Sequence, residues 1–206
     1  MKPIPITLCK PFEKLPVTAS RFWGNPALPS ADAFPFYTDS DGDEMAYTFI
    51  CQINLSELPS SPLPPKGLLL FFGKVGHYLG RFSEDYVGGS LGDPEAVRVL
   101  YYPSIEGFDE VIVLDDDDKP LSPEEQEIKF AKGDSDRALF AEPNHREWET
   151  WDHPYEEWQI LLQVDSMEGM DFQLNFMDWG VLDFLISPED LRQGIFNNVR
   201  GIVLSS

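Results

Sequence analysis

Cysteine is scarce in this sequence, with Cys9 and Cys51 alone among 206 residues. Two cysteines make no disulfide framework in a chain of this length, and they stand in no zinc-type spacing. Basic residues are also few, 15 Lys and Arg against 36 Asp and Glu, leaving a formal net charge of −21. A field of that sign repels phosphate backbones and anionic lipid, so we expect no nucleic-acid and no membrane partner. No apolar run approaches the roughly 20 residues that span a bilayer. The opening "MKPIPITLCKPFEKLP" breaks with charge and proline the continuous apolar core of a signal peptide. The expectation is a soluble, cytoplasmic chain.

Chemical signatures are equally thin. "DSDGDE", Asp39 to Glu44, has its glycine at the wrong place for a calcium loop and reads as a hairpin turn. "VGGSLGD", Val87 to Asp93, lacks the lysine of a phosphate cradle, and no Gly-x-Ser-x-Gly elbow occurs. No nucleophile, base and orienter can be nominated together, so no catalytic residue and no cofactor is expected.

What is present is apolar and acidic. Hydrophobic residues make up 42% and aromatics 13%, which supports a packed fold over residues 1–206. The charge is uneven: residues 1–104 carry 11 acids and 8 bases, residues 105–206 carry 25 and 7. The stretch from Ile105 to Glu127 holds ten acids and one lysine, with Asp115, Asp116, Asp117 and Asp118 in a row. Such runs are ordinarily solvated loops; read functionally, this one is an edge that engages a basic protein.

The elements follow from pattern. "AYTFICQINL", "GLLLFFG", "AVRVLYY" and "EVIVL" are rich in β-branched and aromatic residues and predict strands. Ser122-Pro123-Glu124-Glu125 and Ser187-Pro188-Glu189-Asp190 each offer an N-cap, an N1 proline and early acids, predicting short helices, the first ending at Gly133. The fold class expected is α+β, a sheet-dominated single domain with few short helices.

Three blocks recur in order. "FICQINL" from Phe49 is echoed by "ILLQVDS" from Ile160, "GLLLFF" from Gly67 by "GVLDFL" from Gly180, and "VRVLYY" from Val97 by "VRGIVL" from Val199. We expect two structural repeats, roughly 45–103 and 155–206, joined by an acidic segment 104–154. Strict alternation places Phe49, Cys51, Ile53 and Leu55 on one face, and Ile50, Gln52 and Asn54 on the other. In the second copy, Ile160, Leu162 and Val164 oppose Leu161, Gln163 and Asp165. Gln52 and Gln163 then serve either as structural amides bonding inward or as the lining of a groove between repeats.

The order "WGNPALP" (Trp23 to Pro29), "FICQINLSELP", "LPPKGLLLFF", "WQILLQVDS" and "MDWGVLDFLISPEDL" resembles the YwqG-like family of bacterial proteins of unknown function. That resemblance runs from about residue 20 to the C-terminus. It implies one α+β domain of two repeats, transfers no catalytic residue, and suggests an immunity-like binding role. The chain departs from the family at "FAEPNHREW", Phe140 to Trp148.

"NHREWETWDHPYEEW", Asn144 to Trp158, concentrates three tryptophans and two histidines. Trp148 and Trp151 are candidates for a partner-binding surface, because aromatic residues are enriched at interfaces. His145, Asp152 and His153 are the candidates for a metal site, though they lack any helical His-x-x-x-His spacing. The favoured reading is a non-catalytic protein whose acidic second half engages a basic protein partner, with immunity-like neutralisation of a toxin as its specific form. The alternative is a metal-dependent enzyme with its site near 145–153 or 115–118. Nothing in the pattern decides the oligomeric state.

Overall fold

The computed structural model describes residues 2–76, 81–82, 94–115, 117–130, 136–143, 157–168, 173–174, 176 and 180–204. Ten strands make one antiparallel sheet: β1 (Ile4–Cys9), β2 (Arg21–Phe22), β3 (Thr48–Asn54), β4 (Leu68–Gly73), β5 (Val97–Tyr102), β6 (Gln126–Phe130), β7 (Ala138–Leu139), β8 (Gln159–Asp165), β9 (Val181–Ile186) and β10 (Arg200–Leu204). Their order is β5-β4-β3-β2-β6-β1-β7-β8-β9-β10. The fold is sheet-dominated, with a single α-helix, α1 (Pro188–Gln193), among the described residues.

β1 stitches the sheet together. Its C-terminal part, Ile6 to Cys9, pairs with β6, and Ile4 and Pro5 pair with β7. The sheet then curls until its two edge strands approach, giving a nearly closed barrel. Val97 of β5 sits against Gly201 of β10, where a Cβ would fall 2.7 Å from Val97 Cγ1. Arg200 Nη1 donates to the Pro94 carbonyl at 3.2 Å, and the Phe71 and Phe184 rings meet edge-on at 5.2 Å across the interior. Curling brings the two edges against each other, which shields strand edges that would otherwise template aggregation.

Both sheet faces are buried. The inner face is one cluster drawn from both halves, including Cys51, Ile53, Phe71, Val99, Leu162, Val164 and Phe184. Two outer clusters cover it, one around Tyr47, Phe49, Leu70 and Phe72 and one around Ile160, Leu185 and Ile202. Burial on two sides explains why the strands read as nearly continuous apolar runs.

That burial also corrects the facing derived from alternation. The register of β3 against β4 shifts between Phe49 and Cys51, and that of β8 against β9 shifts between Ile160 and Leu162. Each shift is a β-bulge, and one extra residue reverses the side-chain sense. Phe49 and Ile160 therefore pack in the outer clusters, while Ile50 and Leu161 join the inner one.

Of the helix expected from Ser122 to Gly133, the described residues Ser122 to Phe130 form none, and the rest lies outside the described residues. Gln126 to Phe130 form β6, held between β1 and β2, and the segment before it is drawn straight by Gly24 N–H donating to the Pro123 carbonyl at 2.9 Å. Pairing on both sides outweighs the local capping signal. Of "EVIVL", only Glu110 is in a strand, with Asp109, opposite Ala27 and Leu28. The second helix forms as capping predicts: Ser187 Oγ accepts from Asp190 N–H at 3.0 Å, and Gly194 closes it at φ 68°. "DSDGDE" is a hairpin, with Asp39 Oδ1 accepting from the amides of Asp41 and Asp43 at 2.9 Å each.

Candidate functional site

The most developed polar site is built around Arg21, at the start of "RFWGNP". Its side chain is 1% exposed, a burial that a guanidinium tolerates when it is well paired; both terminal nitrogens are bonded, while Nε is buried without a hydrogen bond. Nη1 lies 2.8 Å from Glu125 Oε2 and 3.2 Å from Glu110 Oε1. Nη2 donates to the carbonyls of Pro16 at 2.5 Å and Val17 at 2.8 Å. Lys14 adds a second cation to Glu110, 3.0 Å from Oε2. Burial alone would raise the Glu110 carboxyl, but its hydrogen bonds to Lys14 and Arg21, and their charges, hold it below the ordinary value.

Above this network lies a cleft of about 540 Å³, lined by Lys14, Gly24, Asn25, Glu110, Lys119 and Glu125, among others. The size is that of a small-ligand site. Gly24 is required there: its φ is +73° and a Cβ would come within 2.6 Å of Glu125 Cβ. Trp23 beside it is fully buried at φ 58°, a left-handed backbone that bulky residues adopt only under constraint. The cleft carries ammonium, carboxylate and amide groups, and the one hydroxyl among its described lining residues is that of Ser122. Such a set is suited to binding polar groups.

The acidic segment separates into two populations. Glu110 and Glu125 turn inward and are neutralised by Arg21 and Lys14. Asp115, Asp117 and Asp118 occupy a tight turn, closed by the Asp115 N–H donating to the Lys119 carbonyl at 2.8 Å. Asp115 Oδ1 accepts from the amides of Asp117 at 3.0 Å and Lys119 at 2.9 Å, and Asp118 is left-handed at φ 60°. Lys119 lies 3.3 Å from Asp117, whereas Asp115 and Asp118 face no cation within ion-pair distance among the described residues. The remaining sequence candidates Asp116, His145, Trp148, Trp151, Asp152 and His153 lie outside the described residues. Among the described residues, no three or more His, Cys, Asp or Glu side chains gather in a way that would hold a metal ion.

The two glutamines are brought to corresponding places and bonded differently. Gln52 Oε1 accepts from Ala27 N–H at 2.8 Å, and Nε2 donates to Val17 and Ala19 carbonyls at 2.9 and 2.8 Å. With Asn54 Nδ2 on the Thr18 carbonyl at 3.0 Å, it fastens the segment that precedes β2. Gln163 Nε2 donates to the Asp136 carbonyl at 2.5 Å, and its Oε1 is buried and accepts no hydrogen bond.

Arg21, Lys14 and Glu125 escape sequence reasoning because one arginine among loop residues has no periodicity. The available signal was an arginine directly preceding "FWGNP" in a chain where bases are rare. The cysteines also take distinct settings. Cys51 is buried and burial pushes its thiol far above the ordinary range, with Arg137 opposing weakly; Cys9 is half-buried. A thiol titration should therefore detect Cys9 alone in the folded protein and both thiols in denaturant; rapid native reaction of both would contradict the packing around Cys51.

A barrel-like, sheet-dominated domain with a buried ion network under a polar cleft is the class that these features define. The sequence profile of DUF1963, a domain of unknown function, matches residues 20–149 and 137–203. The chain belongs to the DUF1963 family. No curated protein matches it.

Proposed function

We propose that this DUF1963 protein is a non-catalytic binding protein whose acidic second half engages a basic protein partner. The observation that carries the reading is the turn holding Asp115, Asp117 and Asp118: Asp115 Oδ1 accepts from the Asp117 and Lys119 amides, while Asp115 and Asp118 have no neutralising cation among the described residues. A rigid display of charge loses little entropy on binding and steers a cationic partner toward itself. We further read the chain as YwqG-like, and on an immunity-like reading that partner would be a toxin.

We read the fold as two copies of one unit, a proposal that several geometric coincidences support. With Gln52 matched to Gln163, the bulges fall at the same place. Trp23 and Phe140, both left-handed, donate to the matched carbonyls of Ile50 and Leu161. Gly67 and Gly180 accept from the matched amides of Leu55 and Ser166. The two family matches begin at 20 and 137, which are matched positions. The copies so defined begin earlier than the strand blocks alone indicate, taking in β2 and β7.

Capture of partners on the immobilised protein, at low and at high salt, tests the function. A basic protein retained at low salt and released as salt rises is expected, because at 0.1 M salt exposed charges are largely screened beyond about 10 Å and the screening length shortens further as salt rises. Retention indifferent to salt would reject the electrostatic reading.

A further inference from the structure

The second half contains a buried polar pair with no counterpart in the first. Gln163 on β8 lies directly opposite Asp183 on β9, and Asp183 lies opposite Ile202 of β10. The corresponding pair on β3 and β4 is Gln52 opposite Leu70. Gln163 is 1% exposed and Asp183 0%. Gln163 Oε1 and both carboxyl oxygens of Asp183 make no hydrogen bond. Three acceptors thus share one outer face of the sheet, among Ile160, Val181, Leu185, Ile202 and Leu204. Directly paired residues in adjacent strands have Cβ atoms about 5 Å apart, so the two polar ends reach each other.

An ionised Asp183 would leave all three acceptors without a donor in an apolar layer, an arrangement that folded proteins avoid. A single proton removes the charge and answers two of the three, making one Asp183 oxygen a donor to Gln163 Oε1. We infer that Asp183 and Gln163 form an internal proton-binding site, in which Asp183 is kept as the carboxylic acid and its O–H is donated to Gln163 Oε1. The charged groups nearby do not replace that proton. From β8, Asp165 is engaged with Arg137, whose Nη2 lies 2.7 Å from Asp165 Oδ1; Asp136 presents its carbonyl to Gln163; and Arg200 of β10 is directed to the Pro94 carbonyl. Burial alone holds the Asp183 carboxyl well above its ordinary value. Asp165 is also raised by burial, against the lowering effect of Arg137, so its own titration must be separated from that of Asp183.

The sign follows by linkage. In the unfolded chain the carboxyl ionises near pH 4, whereas the folded chain keeps its proton. Stability conferred by the protonated pair is complete below that pH and declines as pH rises toward the folded value. Asp183→Asn supplies a permanent donor to Gln163 and cannot ionise, so it separates this group from Asp165. Urea unfolding of both proteins at increasing pH above about 5 should show the wild-type folding constant falling relative to Asp183→Asn by up to tenfold per pH unit, one proton's worth, until the folded carboxyl ionises. Carbon NMR of the assigned Asp183 carboxyl in the wild-type protein should report the acid form at neutral pH. Parallel pH profiles, or an ionised carboxylate at neutral pH bridged by water or a cation, would overturn the assignment.

Discussion

Gly180→Ala is expected to destabilise the protein by about 3 kcal/mol or more, because over-packing against rigid backbone exceeds the usual 1–3 kcal/mol of a flexible core. A Cβ at this position would lie 1.8 Å from the Leu204 carbonyl oxygen and 2.8 Å from that of Phe176. Neither obstacle can swing aside. Leu204 is the last residue of β10 and pairs with Val181, and the Gly180 N–H is itself bonded to the Phe176 carbonyl at 2.6 Å. The Gly180 carbonyl is held from the other side by Ser166, through its amide at 3.1 Å and its hydroxyl at 2.8 Å. Gly67→Ala should behave alike: its Cβ would meet the Tyr102 carbonyl at 2.4 Å, and its φ of +113° adds roughly 1–3 kcal/mol of backbone strain. Denaturant midpoints for both variants check this. The matched positions of the two glycines make similar losses the expected result, and a mild loss at either would show that the strand ends are looser than described.

Arg21→Ala is expected to cost on the order of 3–5 kcal/mol, the penalty of breaking a buried ion pair by removing one partner. Glu110 and Glu125 would be left partly buried, with Lys14 alone to answer the first. Arg21→Lys should rescue little, because the guanidinium fork reaches two carboxylates and two carbonyls at once, and an ammonium cannot reproduce that geometry. Arg21→Met combined with Glu110→Gln and Glu125→Gln should recover most of the loss, since it removes the buried charges together and leaves only the exposed Lys14 without its partner. Equilibrium unfolding of the single and triple variants measures the coupling. The same network sets the acid limb of stability. Glu110 has a depressed folded value, so its contribution is present above about pH 4.3 and is lost as pH falls through that depressed value. Arg21→Ala should flatten this limb.

The strands were the legible part of the sequence, since "FICQINL", "GLLLFF" and "VRVLYY" each carry enough β-branched and aromatic residues to override their surroundings. The recurrence of those blocks matches residue for residue the register seen in β3, β4 and β5 against β8, β9 and β10. What alternation could not reveal was the bulge at Phe49–Cys51, because an extra residue leaves composition unchanged while reversing every face beyond it. The capping signal at Ser122 misled for a different reason: β6 is bonded on both sides, and those partners, β1 and β2, are remote in sequence.

The candidate site was legible only as charge. The segment from Ile105 to Glu127 reads as one acidic run, yet folding divides it into carboxylates neutralised by Arg21 and Lys14 and carboxylates displayed at the Asp115 turn. That division depends on residues some 90 positions apart, which no local pattern encodes. Asp183 had a visible trace, as the one charged residue where "GVLDFL" departs from "GLLLFF", and comparing the blocks for differences rather than likenesses would have found it.

The most direct test of the functional reading neutralises the turn without disturbing it. Asp115→Asn keeps the Oδ1 acceptor, Asp118→Asn suits the left-handed backbone, and Asp117→Asn removes an exposed charge. The measurement is the dissociation constant of the captured basic partner for wild type and for this triple variant, by calorimetry at low salt. The account predicts at least tenfold weaker binding for the variant, about 1.4 kcal/mol, with its folding stability unchanged. Equal affinities for the two proteins would contradict it.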